Sequence, residues 1–538
     1  MITSASPRKP SQRLLLIALF LTALLLRLFR AHQLAIISPD AIRYILQAQA
    51  LTSHPVQAMR DEVFHPLFSL CILAIHATCQ LLHPATTETA DRLAWIHSAQ
   101  ALAIFCGALI APLIFALARQ FGARFWPALA AGLMWALTKR TSVYGAEANS
   151  DTLALVLFAG SMLLAMRAIS FRHGTLNRAG ALQLAASGLL AGLAYLTRPE
   201  GLAAPLLILL TLALWCLRGK SSRRTLKFLP RRALPTTTFL KAAAILLAFT
   251  ALPAVPYMLT IHGLTHKKAL TLNPVPPEAA APESPIADSP HQPPAAQWLL
   301  DETAKTFSYP CLAILVLGLL FHLRLSGRPR LRLLAMLWLL LWLALMLWLL
   351  KTAGYLNARH TLPLQLLLFS WLALALQNWQ RLAQRTLSLL HFQRSHCPAI
   401  FAAIVFLIFA IRAALQLNSP PLGNQDASAA LAANWAKDNL RDDILIADRQ
   451  LLVGYLSGHP FTRWLGTPKD PALYSLPSAP HPIVLGQLYQ PGDPIPPSLG
   501  PYRPLALVQI TPTKDIRGEI YILYALPNAS VLKPSPPE

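Results

Sequence analysis

The sequence predicts an all-α polytopic membrane domain of about 11 spans, with juxtamembrane helices on its outer side and a small C-terminal α/β domain. Three observations predict it. Apolar runs near the length of a bilayer crossing recur from Leu14 to Leu417. Only 13% of the 538 residues are charged, where a soluble domain carries about 25%. After residue 417 the long apolar runs give way to shorter helix-like and strand-like stretches.

The spans are expected at 13–31, 94–118, 124–139, 151–169, 180–197, 201–217, 242–261, 309–325, 332–350, 359–378 and 399–417. The first follows a basic flank, as in a signal peptide. No clear small-residue cleavage site follows it and more spans come later, so it is expected to be retained. The stretch 66–82 is apolar too, and counting it as a span would invert every later loop. Charge argues against counting it. The loops "CLRGKSSRRTLKFLPRRALPTTTFLK", "RLSGRPRLR", "RAISFRHGTLNR" and "NWQRLAQRTLSLLHFQR" are all basic. The positive-inside rule puts them on the cytoplasmic side with Arg8, Lys9 and Arg13, which works only if 66–82 does not cross. His65, His76 and His83 also make that stretch a poor span, and it is expected to lie in the outer interface. A true span there, with later loops inverted, is the alternative.

This count places the N-terminus in the cytoplasm of a multi-pass cell-membrane protein. It turns the outer loop 32–93, the Pro-rich loop 262–308 and the C-terminal region 418–538 outward, leaving 1–417 as the membrane domain. Proline content argues against regular structure in 262–308, which reads as a lid-like segment. In the tail, "DILIAD", "HPIVLGQLY", "LALVQITP" and "EIYILYAL" read as strands. The formal net charge of +23 is accounted for by the basic topology loops. No nucleic-acid module accompanies it, so nucleic acid is not an expected partner. The six cysteines form no CxxC pair, which argues against a disulfide framework or a zinc site.

Polar residues gather where spans meet the outer face. In "ISPDAIRYILQAQAL", Ser38 suits an N-cap, Pro39 the first helical position, and Asp40 the positive end of the helix dipole. Tyr44 shares a helix face with Asp40. His65 opens the interfacial stretch. "YGAEANSDTLAL" sets Glu147 and Asp151 four apart, "LTRPEG" supplies Arg198 and Glu200, and "KTAGYLNARHTLPL" supplies Lys351, Tyr355, Arg359 and His360. Each has an ordinary explanation as a helix cap or an interfacial anchor. Together they suit transfer from a lipid phosphate, with a base on one wall of a cavity and cations on another.

The order of these motifs resembles the glycosyltransferase C superfamily. The nearest branch is the one holding dolichyl-phosphate-mannose–protein mannosyltransferases, aminoarabinose transferases of lipid A and RgtA/B/C/D-like transferases. The resemblance rests on "PDAIRYILQAQAL", "FHPLFSLCILAI", "AEANSDTLAL", "LTRPEG" and "YLNARHTLPL" in that order, from Arg13 to about Asn378, and on the outward C-terminal domain. The chain departs from the pattern in the single proline of "HPL" and in His360, where tyrosine is more usual. The resemblance implies an inverting transfer of a sugar from a polyprenyl-phosphate donor to an acceptor hydroxyl. Asp40 would be the general base. Arg359 would be the first choice for the leaving phosphate, with Arg198, Lys351 and His360 behind it. Glu147 and Asp151 would orient the acceptor, position arginines or hold a divalent cation, since some relatives are metal-dependent and others are not. Tyr44, His65, Glu200 and Tyr355 would support the site. The rival readings are a transporter or flippase for lipid-linked sugars, which wants charges in the middle of spans, and a membrane scaffold.

Overall fold

The computed structural model describes residues 12–34, 37–169, 176–217, 234–266, 294–320, 329–353, 356–389, 407–408, 411, 414–415, 427–448, 451–463, 483–489, 503–509, 520–525 and 531–533. Among them, eight helices are long and apolar enough to cross a membrane, or up to nine if one bent pair counts as a span. The expected span over 399–417 falls largely outside the described residues, as do the Pro-rich core of 262–308 and Tyr355.

The helices before the C-terminal region are α1 (Gln12–Gln33), α2 (Pro39–Ser53), α3 (Pro55–Asp61), α4 (Leu67–Leu82), α5 (Glu88–Phe121), α6 (Phe125–Ala136), α7 (Lys139–Tyr144), α8 (Asp151–Ile169), α9 (Arg178–Thr197), α10 (Ala203–Leu217), α11 (Thr236–Ile261), α12 (Ala295–Phe307), α13 (Tyr309–Leu320), α14 (Pro329–Ala353) and α15 (Leu362–Leu389). Short 3-10 turns precede α10 at Pro199–Leu202 and α15 at Ala358–Thr361. The C-terminal region adds α16 (Ala427–Asn439) and α17 (Leu452–Ser457), with strands β1 (Leu445–Asp448), β2 (Phe461–Arg463), β3 (Ile483–Tyr489), β4 (Arg503–Gln509) and β5 (Ile520–Ala525).

Two stretches read as spans are shorter or bent. Helix α6 has 12 residues, about 18 Å at 1.5 Å per residue, too short to cross about 30 Å of hydrocarbon. Helix α13 meets α12 at an angle of 101°, with Ser308 between them at a φ of 68°. Helix α12 lies inside the loop expected to be irregular. Its sequence AAQWLLDETAKTF has its last proline at the preceding position 294, and Gln365 Nε2 donates to the carbonyl of Thr303 at 3.1 Å. Helix α4 spans 16 residues, again short for a crossing.

The chain divides into two compact units. The first comprises Met1–Leu28, Gln47–Ile72 and Ala101–Asn418. Its apolar core runs through α5, α6, α8, α10, α14 and α15, and includes Trp135, Trp215, Trp338 and Phe369 with little or no exposure. Apolar packing alone gives little specificity between helices in lipid, so small and hydroxylated residues set the contacts. Ser161 of α8 and Ser187 of α9 do this, each hydroxyl bonding to the other residue's carbonyl at 2.9 Å.

The second unit comprises Phe29–Leu46, Leu73–Gln100 and Ser419–Glu538. Its sheet has the order β2-β1-β3-β5-β4. Strand β1 runs parallel to β2 and β3, while β5 runs antiparallel to β3 and β4. The strand stretches read from the tail account for β1, β3, β4 and β5, and Ile446, Val484, Leu485 and Ile522 are fully buried.

Candidate functional site

In the first unit a cavity of ≈ 100 Å³ collects five of the span-end residues read from the sequence: Asp151, Arg198, Glu200, Arg359 and His360. Three chain segments bring them together. Asp151 is the first residue of α8, where a carboxylate meets the positive end of the helix dipole. Arg198 leaves the C-terminus of α9 in an extended conformation, with φ −154° and ψ 139°, and Pro199 starts the 3-10 turn that carries Glu200. Arg198 Nη1 donates to Asp151 Oδ1 and its Nε to Glu200 Oε2 at 3.5 Å. One guanidinium thus bridges two carboxylates, and the Asp151 side chain is only 8% exposed.

Arg359 and His360 sit on the second 3-10 turn. Asn357 caps it: its Oδ1 accepts from the Arg359 N–H at 3.3 Å, and its own N–H donates to His360 Nδ1 at 3.1 Å. Trp342 Nε1 donates to the His360 carbonyl at 3.2 Å, tying the turn to α14. The remaining walls are apolar, formed chiefly by Phe158, Leu345, Met346, Trp348 and Leu349. Phe158 meets Trp338 and Trp342 edge-on at 5.3 and 5.5 Å. The cavity joins a charged rim to an aromatic and aliphatic wall, the shape of site that takes an amphiphile with an anionic head.

The acidic loop before α8 is held from beneath. Glu147 is half-buried and its Oε2 accepts from Asn149 Nδ2 at 2.9 Å. Gly145 ends α7, and a Cβ there would lie 2.5 Å from Nε of Arg27. Arg27, on α1, has 0% exposure. Its Nη1 donates to the carbonyl of Ala23 at 2.9 Å, while Nε and Nη2 have no hydrogen-bond partner among the described residues. An arginine about four turns into an apolar helix is legible as a charge within a span, yet nothing local in the sequence says that it lies under Gly145. Tyr144 is a further residue outside the expected set. Burial pushes its phenol up to about 12, with Glu147 and Asp151 adding to the shift and Arg140 and Arg359 opposing it. Its hydroxyl therefore stays a proton donor among these charges. Its place three residues before Glu147 was the available signal.

The other expected site residues are placed as follows. Lys351 is exposed near the end of α14 and does not line this cavity. His65 is 1% exposed, with Nδ1 2.6 Å from the Tyr195 carbonyl and Nε2 3.3 Å from Thr265 Oγ1. It ties the start of α4 to the C-terminal ends of α9 and α11. Asp40 and Tyr44 belong to the second unit. Asp40 is half-buried in the first turn of α2, and the Ala41 N–H donates to Ser38 Oγ at 3.3 Å, as the N-cap reading requires. Tyr44 is 5% exposed. Among the described residues no group of three or more His, Cys, Asp or Glu is arranged to hold a metal ion.

No family model matches the sequence, and no curated protein matches it in sequence. Solved structures do match its fold. ArnT from Cupriavidus metallidurans bound to undecaprenyl phosphate aligns with 94% of this chain and 97% of its own length, at a TM-score of 0.55 and 14% identity. The apo form aligns over the same shares at 0.52 and 14%. The oligosaccharyltransferase AglB from Archaeoglobus fulgidus, in complex with an inhibitory peptide and a dolichol-phosphate, aligns with 84% of this chain at 0.53 and 12%. The chain spans 64% of that protein's length. These proteins belong to the glycosyltransferase C superfamily, and the present chain has the fold they share.

Proposed function

We propose that the protein is an integral-membrane inverting glycosyltransferase that moves a sugar from a polyprenyl-phosphate donor to an acceptor hydroxyl on the extracytoplasmic side. The observation that carries this reading is the cavity in which Arg198, Arg359 and His360 face an apolar wall containing Trp342 and Trp348. A polyprenyl phosphate has the matching halves, an anion to meet the arginines and a hydrocarbon chain to meet the wall. The fold shared with proteins solved in complex with undecaprenyl phosphate and dolichol-phosphate supports the same donor class.

In the proposed reaction, Asp40 takes the proton of the acceptor hydroxyl as its oxygen bonds to the anomeric carbon. The bond from that carbon to the phosphate oxygen breaks, and its electron pair leaves with the lipid phosphate. Charge grows on that phosphate as the bond breaks, so a guanidinium there stabilises the transition state more than the ground state. Arg359 takes this part. Arg198 is engaged by Asp151 and Glu200 and shapes the rim. Glu147 and Asp151 position these groups and the acceptor. A reporter fused after Lys220 should be cytoplasmic and one after Pro290 external, and the reverse would make 66–82 a true span.

Buried Arg27 favours the rival reading, a transporter or flippase for lipid-linked sugars, because charge within a span is a transporter feature. The two readings part at Asp40. Mass spectrometry of envelope glycans and glycoproteins should show a sugar modification that needs the protein and is lost in Asp40→Asn with membrane insertion intact. Normal modification by that variant would remove the base, and with it this mechanism.

A further inference from the structure

The second unit contains a cleft of ≈ 50 Å³ that plays no part in the proposed transfer. Thr89, Arg92, Leu93 and Ile96 line it from the first three turns of α5, on one face of that helix by their spacing. Lys437 of α16 and Tyr455 and Ser457 of α17 line it from the C-terminal region. Two cationic residues and three hydroxyl-bearing ones therefore line one small space. The N-terminus of the 34-residue α5 adds its positive end.

Arg92 is fixed here by more than charge. Its Nη1 donates to the Tyr455 carbonyl at 3.4 Å, and its Nη2 lies 3.4 Å from Oε1 of Glu88. The guanidinium occupies the space over Gly458, where an added Cβ would meet it at 2.3 Å. Gly458 ends α17 at a φ of +87°, so the turn requires glycine and the glycine makes room for the arginine. Glu88 is ion-paired with Arg92, but its side chain is 83% exposed, and so open a pair contributes little.

The Tyr455 hydroxyl has no hydrogen-bond partner among the described residues although the residue is 3% exposed. A buried hydroxyl without a partner is costly, and a ligand in the cleft would supply one. Arg92 Nε is also buried without a partner. We propose that this cleft is a binding site for a phosphoryl group, held by Arg92, Lys437 and the Tyr455 hydroxyl. A phosphate offers three terminal oxygens to several donors at once and suits a guanidinium better than a single-point anion does. The proposal stands apart from the transferase reading and survives its failure.

The test uses the full-length protein in phosphatidylcholine nanodiscs, titrated with inorganic phosphate against chloride at equal ionic strength, with binding read by thermophoresis. Saturable phosphate binding is expected, weakened about tenfold or more by Arg92→Gln and clearly reduced by Tyr455→Phe and Lys437→Gln. Tyr455→Phe separates binding from folding. Removing a hydroxyl that has no partner among the described residues should leave the phosphate-free unfolding midpoint unchanged or raised, while phosphate affinity falls. Repeating the titration in nanodiscs doped with phosphatidic acid distinguishes the source. Loss of phosphate binding there identifies a lipid headgroup as the occupant, and unaltered binding identifies a soluble phosphate compound. No saturable binding to the wild type, or equal affinity in Arg92→Gln and Tyr455→Phe, would overturn the proposal.

Discussion

The two units each hold a carboxylate at the hub of a polar cluster, and they hold it differently. In the first, Asp151 is paired with Arg198 in a largely buried setting, with Glu200 on the other edge of the same guanidinium. In the second, Asp91 accepts from Gln80 Nε2 at 2.6 Å and Trp95 Nε1 at 3.2 Å, and lies 3.0 Å from His76 Nε2, with its side chain 41% exposed. His76 stacks on Trp95 at 3.7 Å. The first cluster opposes full charges away from water. The second spreads one half-solvated carboxylate over donors of which only His76 can carry charge. A buried pair is costly to break from one side because the remaining charge has nowhere to go, whereas a solvated carboxylate falls back on water.

Four substitutions test that contrast, from the largest expected effect to the smallest. Arg198→Met strands Asp151 and should cost about 3–5 kcal/mol in chemical unfolding of the detergent-solubilised protein. A loss below about 1 kcal/mol would mean that water already reaches Asp151. Gly145→Ala drives a methyl into buried Arg27 and should cost about 1–3 kcal/mol, with wild-type stability showing instead that Arg27 can move aside. Asp91→Asn weakens the cluster around His76 and Trp95 and should cost about 1–2 kcal/mol, read as an earlier unfolding midpoint in the second unit. Glu88→Ala should leave the midpoint where it is. A clear drop there would show that the exposed pair with Arg92 matters more than its 83% exposure implies.

Much of the candidate site was legible because its residues are anomalies in an apolar sequence. Asp151, Arg198, Glu200, Arg359 and His360 stand out at the ends of apolar runs, and all five line one cavity. Their pairing was not legible. Asp151 and Arg198 are 47 residues apart, and no periodicity links "SDTL" to "LTRPEG". Lys351 stood out by the same criterion yet is exposed beyond the cavity, since polarity at a span end marks a boundary before it marks a site. The apolar cavity wall was invisible for the opposite reason. Trp338, Trp342 and Met346 follow a four-residue helical stripe that reads as ordinary span, and only the fold turns Trp342 and Met346 toward arginines.

The fold shows the same division. The strand stretches of the tail were legible because short apolar stretches bounded by polar residues and prolines break from the long apolar runs; β1, β3 and β5 form within them, and β4 begins two residues ahead of its stretch, at Arg503. Helix α12 was masked by the prolines just before it, although none interrupts the helix itself. Helix α5 begins at Glu88, two turns before its apolar stretch, and those polar turns carry Asp91 and Arg92. Apolar length locates the crossing, but the helix extends as far as its backbone bonding and caps allow.

The central claim, that the arginine-rimmed cavity receives a lipid phosphate, is tested most directly by binding of undecaprenyl phosphate to the purified protein in nanodiscs. Saturable binding is expected for the wild type and for Glu88→Ala, and binding about tenfold weaker or worse for Arg359→Met. Equal affinity in Arg359→Met would contradict the account.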